Sequence, residues 1–131
     1  DEELAKRVEQ IGVTQFIDEW LTNSLFSGLT KETNQRAVRL KNTAIGLSSS
    51  LRLCGAGRQQ PTWTKLRELK MPVLVMAGEN DSKYVELAER MVQAIGENAR
   101  FQIVKNSGHT PHLEQESVFA ESIRSFITQT S

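Results

Sequence analysis

The chain has 131 residues, about one domain's worth, and apolar residues make up 38% of it against 24% charged. That balance excludes a disordered tail, and no apolar run approaches the roughly 18 residues of a spanning helix. Sixteen Lys and Arg offset sixteen Asp and Glu, so no basic field is available for nucleic acid or anionic lipid.

The start, Asp1-Glu2-Glu3-Leu4, has neither the basic nor the apolar region of a signal peptide, and the cytoplasm is the expected compartment. A first helix is predicted from Asp1 to Ile11, with Leu4, Val8 and Ile11 on one side and Gly12 as its stop. A second spans Thr14 to about Asn23 and carries Phe16, Ile17, Trp20 and Leu21. Thr30 is read as the cap of a third, whose exposed face holds Lys31, Glu32, Gln35 and Arg36. A fourth runs from about Thr43 to Cys54, with Gly55 beyond its end. Thr62 is read as the cap of a short fifth carrying Trp63, Leu66 and Leu69. Burial is the first expectation for Trp20, Trp63 and the Cys54 thiol. The serines at 48, 49 and 50 are read as small residues that let helices approach.

At Pro72 the period changes. Val73-Leu74-Val75-Met76 is a continuous apolar run, the habit of a strand buried on both faces. Gly78 to Ser82 is a loop, and Tyr84, Leu87, Met91 and Ile95 form a helical stripe that stops at Gly96. Phe101, Ile103 and Val104 mark a second strand, Asn106-Ser107-Gly108 a turn, and Phe119, Ile123 and Ile127 a closing helix. This βαβα order implies parallel strands joined by a right-handed crossover. Two parallel strands cannot cover their own faces and edges, so the sheet is expected to gain partners, either from a missing part of the fold or from a second copy of the chain.

In an open α/β sheet, reactive groups sit in the loops beyond the carboxyl ends of strands. The first such loop presents Glu79, Asp81 and Lys83, and the second presents His109 and His112. Parallel strands bring both loops to one sheet edge, where the Asp81 carboxylate can orient the His109 imidazole. Two plainer readings stand beside this: Asp81 or Ser82 as the cap of the following helix, and His109 as an ordinary loop residue. His112 lies nearer the closing helix and is read as support for the loop. An Asp–His pair needs a nucleophile, and the serine elbow G-x-S-x-G is absent; Gly46-Leu47-Ser48-Ser49-Ser50 comes nearest but ends in Ser within a helical pattern. No cofactor is expected. Gly55-Ala56-Gly57 is too short for a dinucleotide loop, and His109, His112 and Glu114 lack the helical H-E-x-x-H frame of a metal site. One cysteine excludes an internal disulfide.

Met71 to Tyr84 resembles the late part of α/β-hydrolase-fold proteins, and Asn106-Ser107-Gly108-His109-Thr110-Pro111-His112-Leu113-Glu114 resembles their histidine loop. A narrower resemblance rests on Phe16 to Leu21, Leu25-Phe26, Gly46-Leu47 with Ser50-Leu51-Arg52, Gly55-Ala56-Gly57, Gln59-Gln60-Pro61, Trp63 and the tetrad Asp81-Ser82-Lys83-Tyr84. These are similar to the 2-succinyl-6-hydroxy-2,4-cyclohexadiene-1-carboxylate synthases of menaquinone biosynthesis. The resemblance implies a helical lid over residues 1–69 and the C-terminal βαβα part of an α/β-hydrolase core over residues 70–131. In that family a Ser-His-Asp triad acts as a base on a small-molecule carboxylate substrate, which then eliminates pyruvate. The resemblance makes Asp81 the triad acid, His109 the triad base, and Trp20 and Lys83 substrate-binding residues. The family's N-terminal strands, oxyanion loop and serine have no counterpart, so the 131 residues alone are expected to be inactive. Two further readings are an esterase or carbon–carbon bond hydrolase of the same superfamily and a non-catalytic binding or dimerisation module.

Overall fold

The computed structural model describes residues 1–130. Two compact units emerge: one of Asp1–Ser24 with Thr30–Gln60, and one of Leu25–Leu29 with the described residues from Pro61 onward.

The first unit is helical. Helix α1, Glu2–Trp20, is broken at Gly12, whose φ of 75° and ψ of 168° leave the helical region. A residue with a Cβ is strained at that φ, so glycine allows the chain to stop one helix and start the next without a connecting loop. The halves, 2–11 and 13–20, fall on the two helices read from the sequence, the second ending three residues short of Asn23. Arg7 spans the break and pairs with Glu19 at 2.6 Å. The short α2, Arg36–Arg39, precedes α3, Ala44–Cys54, whose cap Thr43 accepts the Gly46 N–H. Val8, Phe16 and Ile17 form the core, and Leu40, Leu47 and Leu51 pack against it. The Phe16 and Trp20 rings stack with centroids 6.1 Å apart. Outside this core, Arg52 of α3 holds Glu2 and Glu9 of α1. Those bonds pull the carboxyls below their ordinary range, and Glu9, bonded by Arg52 and then by Ser48, falls to about 2.

Four local expectations need correction. Thr30 accepts the N–H groups of Glu32 and Thr33, but only a turn forms there, because Gln35 adopts a left-handed φ of 57° and the Asn34 side chain restarts the chain at Arg36. Cys54 is exposed, since it lies on the last turn of α3 away from the core stripe. Trp63 is 39% exposed in a 3-10 segment, Trp63–Glu68, and its ring carries the Arg90 guanidinium at 5.2 Å. Ser48 is buried as a close-packing residue, whereas Ser49 and Ser50 face solvent.

The second unit is βαβα. Strand β1, Val73–Gly78, pairs in parallel with β2, Ala99–Val104, in a register that runs from Val73 opposite Ala99 to Gly78 opposite Val104. Helix α4, Ser82–Ile95, joins them and packs on both strands, burying Ala88 and Ile95. Asn98 ties the crossover to the preceding segment by donating to the Leu69 and Met71 carbonyls. After β2 come the single-turn α5, Pro111–Glu114, and α6, Glu116–Thr130. Val73 to Met76 are only half-buried, and Ile103, Val118, Ile123 and Ile127 are exposed. Apolar strands of this kind are ordinarily covered on both faces. Among the described residues β1 and β2 have no further strand beside them.

Candidate active site

The parallel register sets the site. Gly78 and Val104 are opposite one another, so the loops that follow β1 and β2 leave the sheet side by side. The Glu79 N–H donates to the Val104 carbonyl and the Asn80 N–H to the Ser107 carbonyl, which stitches the loops together. Glu79 adds side-chain bonds, accepting Lys105 Nζ at 2.8 Å and the Asn106 N–H at 3.0 Å. The Lys105 hydrogen bond, followed by the Asn106 N–H, holds the Glu79 carboxyl below the usual range. Glu79 is therefore a brace between the loops. Gly78 is fitted against the second loop so closely that a Cβ there would overlap the Gly108 carbonyl oxygen.

On this frame Asp81 and His109 meet. Asp81 Oδ2 lies 2.7 Å from His109 Nδ1. A carboxylate only accepts, so the contact assigns the proton to Nδ1 and leaves Nε2, on the far side of the ring, as the atom able to take a proton. The Asp81 side chain is 12% exposed and that of His109 26%, so the pair is sheltered but reachable. The other Asp81 oxygen, Oδ1, receives the Tyr84 N–H at 3.4 Å as the cap of α4. The capping and orienting roles belong to different oxygens of one carboxylate. The Tyr84 ring stands edge-on to the imidazole, with centroids 4.7 Å apart and planes at 70°.

The remaining sequence-selected residues are placed as follows. Lys83 is exposed on the first turn of α4, with Nζ 5.9 Å from the Tyr84 ring centroid. Trp20 belongs to the other unit, at the end of α1, beside Phe16. His112 is exposed and rests near Phe119 of α6, at 5.9 Å between rings. Sequence patterns name Glu114 but miss its role. Its carboxylate accepts the Gly108 N–H at 2.7 Å and the Thr110 N–H and hydroxyl at 3.0 and 2.9 Å. It lies four places after Thr110, one beyond the Thr-x-x-Glu spacing of a capping box, so spacing alone does not flag it. No group of three or more His, Cys, Asp or Glu fit for a metal occurs among the described residues.

No protein-family model matches the chain. Curated relatives do. The putative 2-succinyl-6-hydroxy-2,4-cyclohexadiene-1-carboxylate synthase of Bacillus subtilis (strain 168) is 32% identical over 133 residues, covering 98% of this chain and 48% of that protein. A protein named as the same synthase in Yersinia pestis bv. Antiqua (strain Nepal516) is 25% identical and covers 100% of this chain and 47% of itself. A solved structure, MenH from S. aureus, superposes with a TM-score of 0.93 at 30% identity, over 98% of this chain and 50% of that one. The chain is a homologue of half of such a synthase. It has the corresponding part of an α/β-hydrolase fold, and it spans about half the length of the curated relatives it matches. The Asp81–His109 pair lies within the matched span, as do Trp20 and Lys83.

Proposed function

We propose that this chain is the lid and C-terminal part of a menaquinone-biosynthesis lyase, with residues 1–69 as lid and 70–131 as core. The reading is carried by the 2.7 Å Asp81–His109 contact at the shared edge of two parallel strands, within a chain that matches named synthases over its whole length. His109 takes a proton through Nε2, relayed from a serine supplied by the N-terminal half of the fold, and Asp81 fixes the tautomer and stabilises the imidazolium that forms. The substrate is a small carboxylate that loses a proton and eliminates pyruvate to give 2-succinyl-6-hydroxy-2,4-cyclohexadiene-1-carboxylate. Trp20 offers an aromatic surface to it, and Lys83, two residues after Asp81 and exposed, offers an ammonium to a carboxylate. The half-buried strands take their partners from that missing half, and the work takes place in the cytoplasm. No helix of the described residues is long and apolar enough to cross a membrane.

The 131-residue chain alone has neither serine elbow nor oxyanion donors, and catalysis without them falls by orders of magnitude. The test is pyruvate release. The chain alone is expected to release none, and the chain joined to the N-terminal half of the B. subtilis relative is expected to release it, with loss on Asp81→Asn or His109→Ala. Normal turnover by the isolated chain, or ester hydrolysis without pyruvate from the joined one, overturns the reading.

A further inference from the structure

We propose that Glu114 is the positioning residue of the histidine loop: its single carboxylate anchors the backbone on both sides of His109 and so aims the imidazole. The claim builds on the proposed role of His109 but is read out independently of turnover.

The observation is a bracket. Oε2 accepts the N–H of Gly108, just before the histidine, and Oε1 accepts the N–H and hydroxyl of Thr110, just after it. The Gly108 N–H belongs to the 107–108 peptide and the Thr110 N–H to the 109–110 peptide, so the backbone is held on both sides of residue 109 and the direction of its Cα–Cβ bond is restrained. Rotation about the side chain is limited by the Asp81 contact at 2.7 Å and by the Tyr84 ring. Bonds from N–H groups to an ionised carboxylate are the stronger kind, and a planar acceptor with two oxygens holds two donors in one geometry.

A plainer account makes Glu114 the cap of its own helical turn. It covers the Thr110 N–H, which opens α5. It does not cover the Gly108 N–H, which lies before the histidine and outside the helix. The surroundings also hold the carboxylate in place. Ser107 and Thr110 are buried, and the backbone at Gly28 comes so near that a Cβ there would overlap the Glu114 carboxylate. The Glu114 head is thus enclosed by Gly28 on one side and by the loop it clamps on the other. Glu79 braces the loop at Asn106, three residues upstream of His109, and leaves the Gly108 and Thr110 amides to Glu114.

The experiment follows the imidazole and the two amides by NMR in the 131-residue chain. Glu114→Ala is expected to lower the hydrogen-exchange protection of the Gly108 and Thr110 amides by at least ~10-fold and to broaden or remove the downfield His109 Nδ1–H signal, with α1 and α3 amides unchanged. Glu114→Gln, nearly the same size, keeps one acceptor and is expected to fall between. Gly28→Ala leaves Glu114 in the sequence but displaces its head, and is expected to move the same three signals. An Ala or Gln variant whose His109 signal and loop protection match the parent overturns the proposal. So does a Gly28→Ala chain that stays folded with all three signals in place. A joined enzyme that loses pyruvate release on Glu114→Ala with an unmoved ring refutes this inference and leaves the lyase reading intact. A ring that moves in an enzyme that never makes pyruvate does the reverse.

Discussion

Gly78→Ala is the sharpest probe of how the site is built. The last residue of β1 lies against the histidine loop, and a Cβ built there overlaps the Gly108 carbonyl oxygen and stands 2.6 Å from that of Ser107 and 2.8 Å from the Ser107 carbonyl carbon. Carbon ordinarily keeps about 3.5 Å from such atoms, so the loop must retreat by about 1–1.5 Å. All the obstructing atoms are backbone, and no side chain can rotate out of the way. The same retreat stretches the Asn80 to Ser107 bond, now 2.8 Å, and the Asp81–His109 contact, now 2.7 Å, past the roughly 3.2 Å at which such bonds fade.

Overpacking of this kind costs about 1–3 kcal/mol. For a chain of this length 1 kcal/mol lowers Tm by about 4 °C, so the βαβα unit should melt about 4–12 °C earlier. The measurement is a thermal melt together with the His109 Nδ1–H resonance. Gly57→Ala is the control, since its Cβ would have only an Asp1 oxygen at 3.7 Å, and it should change stability by less than about 0.5 kcal/mol. A Gly78→Ala chain with the parent's Tm and an unmoved imidazole resonance would refute the argument that the loops are positioned by this close approach.

The other predictions follow from single contacts. Asn caps a helix as well as Asp does, so Asp81→Asn should keep α4 intact while Asp81→Ala costs about 1 kcal/mol; in the joined enzyme both should lower kcat on the order of 10³–10⁴-fold, since each removes the charge that supports the imidazolium. Phe16→Ala empties the centre of the helical core and should cost about 3–5 kcal/mol, read by urea unfolding. Glu9, ordinarily near 4.5, is held at about 2 in the fold, and Glu2 is also lowered. A depressed carboxyl contributes stability that is full above the unfolded value and disappears as pH falls through the folded one. The urea midpoint of the helical unit should therefore drop between about pH 4.5 and 2, and Arg52→Ala should flatten that drop; an identical acid limb in the variant would refute the role of the Arg52 network.

Much of this fold is legible where a signal is local or topological. Gly12 marks a break because only a residue without a Cβ takes its backbone angles at no cost, and the apolar spacing on each side gives both halves of α1. The meeting of Asp81 and His109 is legible through handedness, since two buried-type strands joined by a helix must run parallel and so deliver both loops to one edge. What hides is the chemistry that depends on distance in space. Thr30 carries a cap signal and does cap, but the left-handed Gln35 stops the turn from propagating, and no pattern in the chain announces that angle. Trp63 reads as core because it is large and apolar, yet its face is covered by a guanidinium from a helix some 27 residues away. Glu114 reads as one more loop acid because its donors belong to the backbone, which sequence does not distinguish.

The two readings of Asp81, helix cap and imidazole partner, reduce to one structural fact. The first turn of α4 leaves its N–H groups without helical partners, and its macrodipole places partial positive charge there, so a carboxylate at the cap position is both bonded and favoured. The Tyr84 N–H takes Oδ1, which turns Oδ2 outward toward the neighbouring loop, where His109 stands. The same Tyr84 supplies the ring that faces the imidazole edge-on. One helix start thus provides the acid, the donor that orients it and the wall against which the base rests. The geometry of the pair depends on where α4 begins relative to the end of β1, a distance set by the three residues Glu79, Asn80 and Asp81. Asn80 is bonded to the histidine loop through its own N–H, and Glu79 through its carboxylate, which accepts the Asn106 N–H. The spacing from strand to helix is therefore fixed by the loop it serves, and inserting one residue into that connection would break the braces and the pair together.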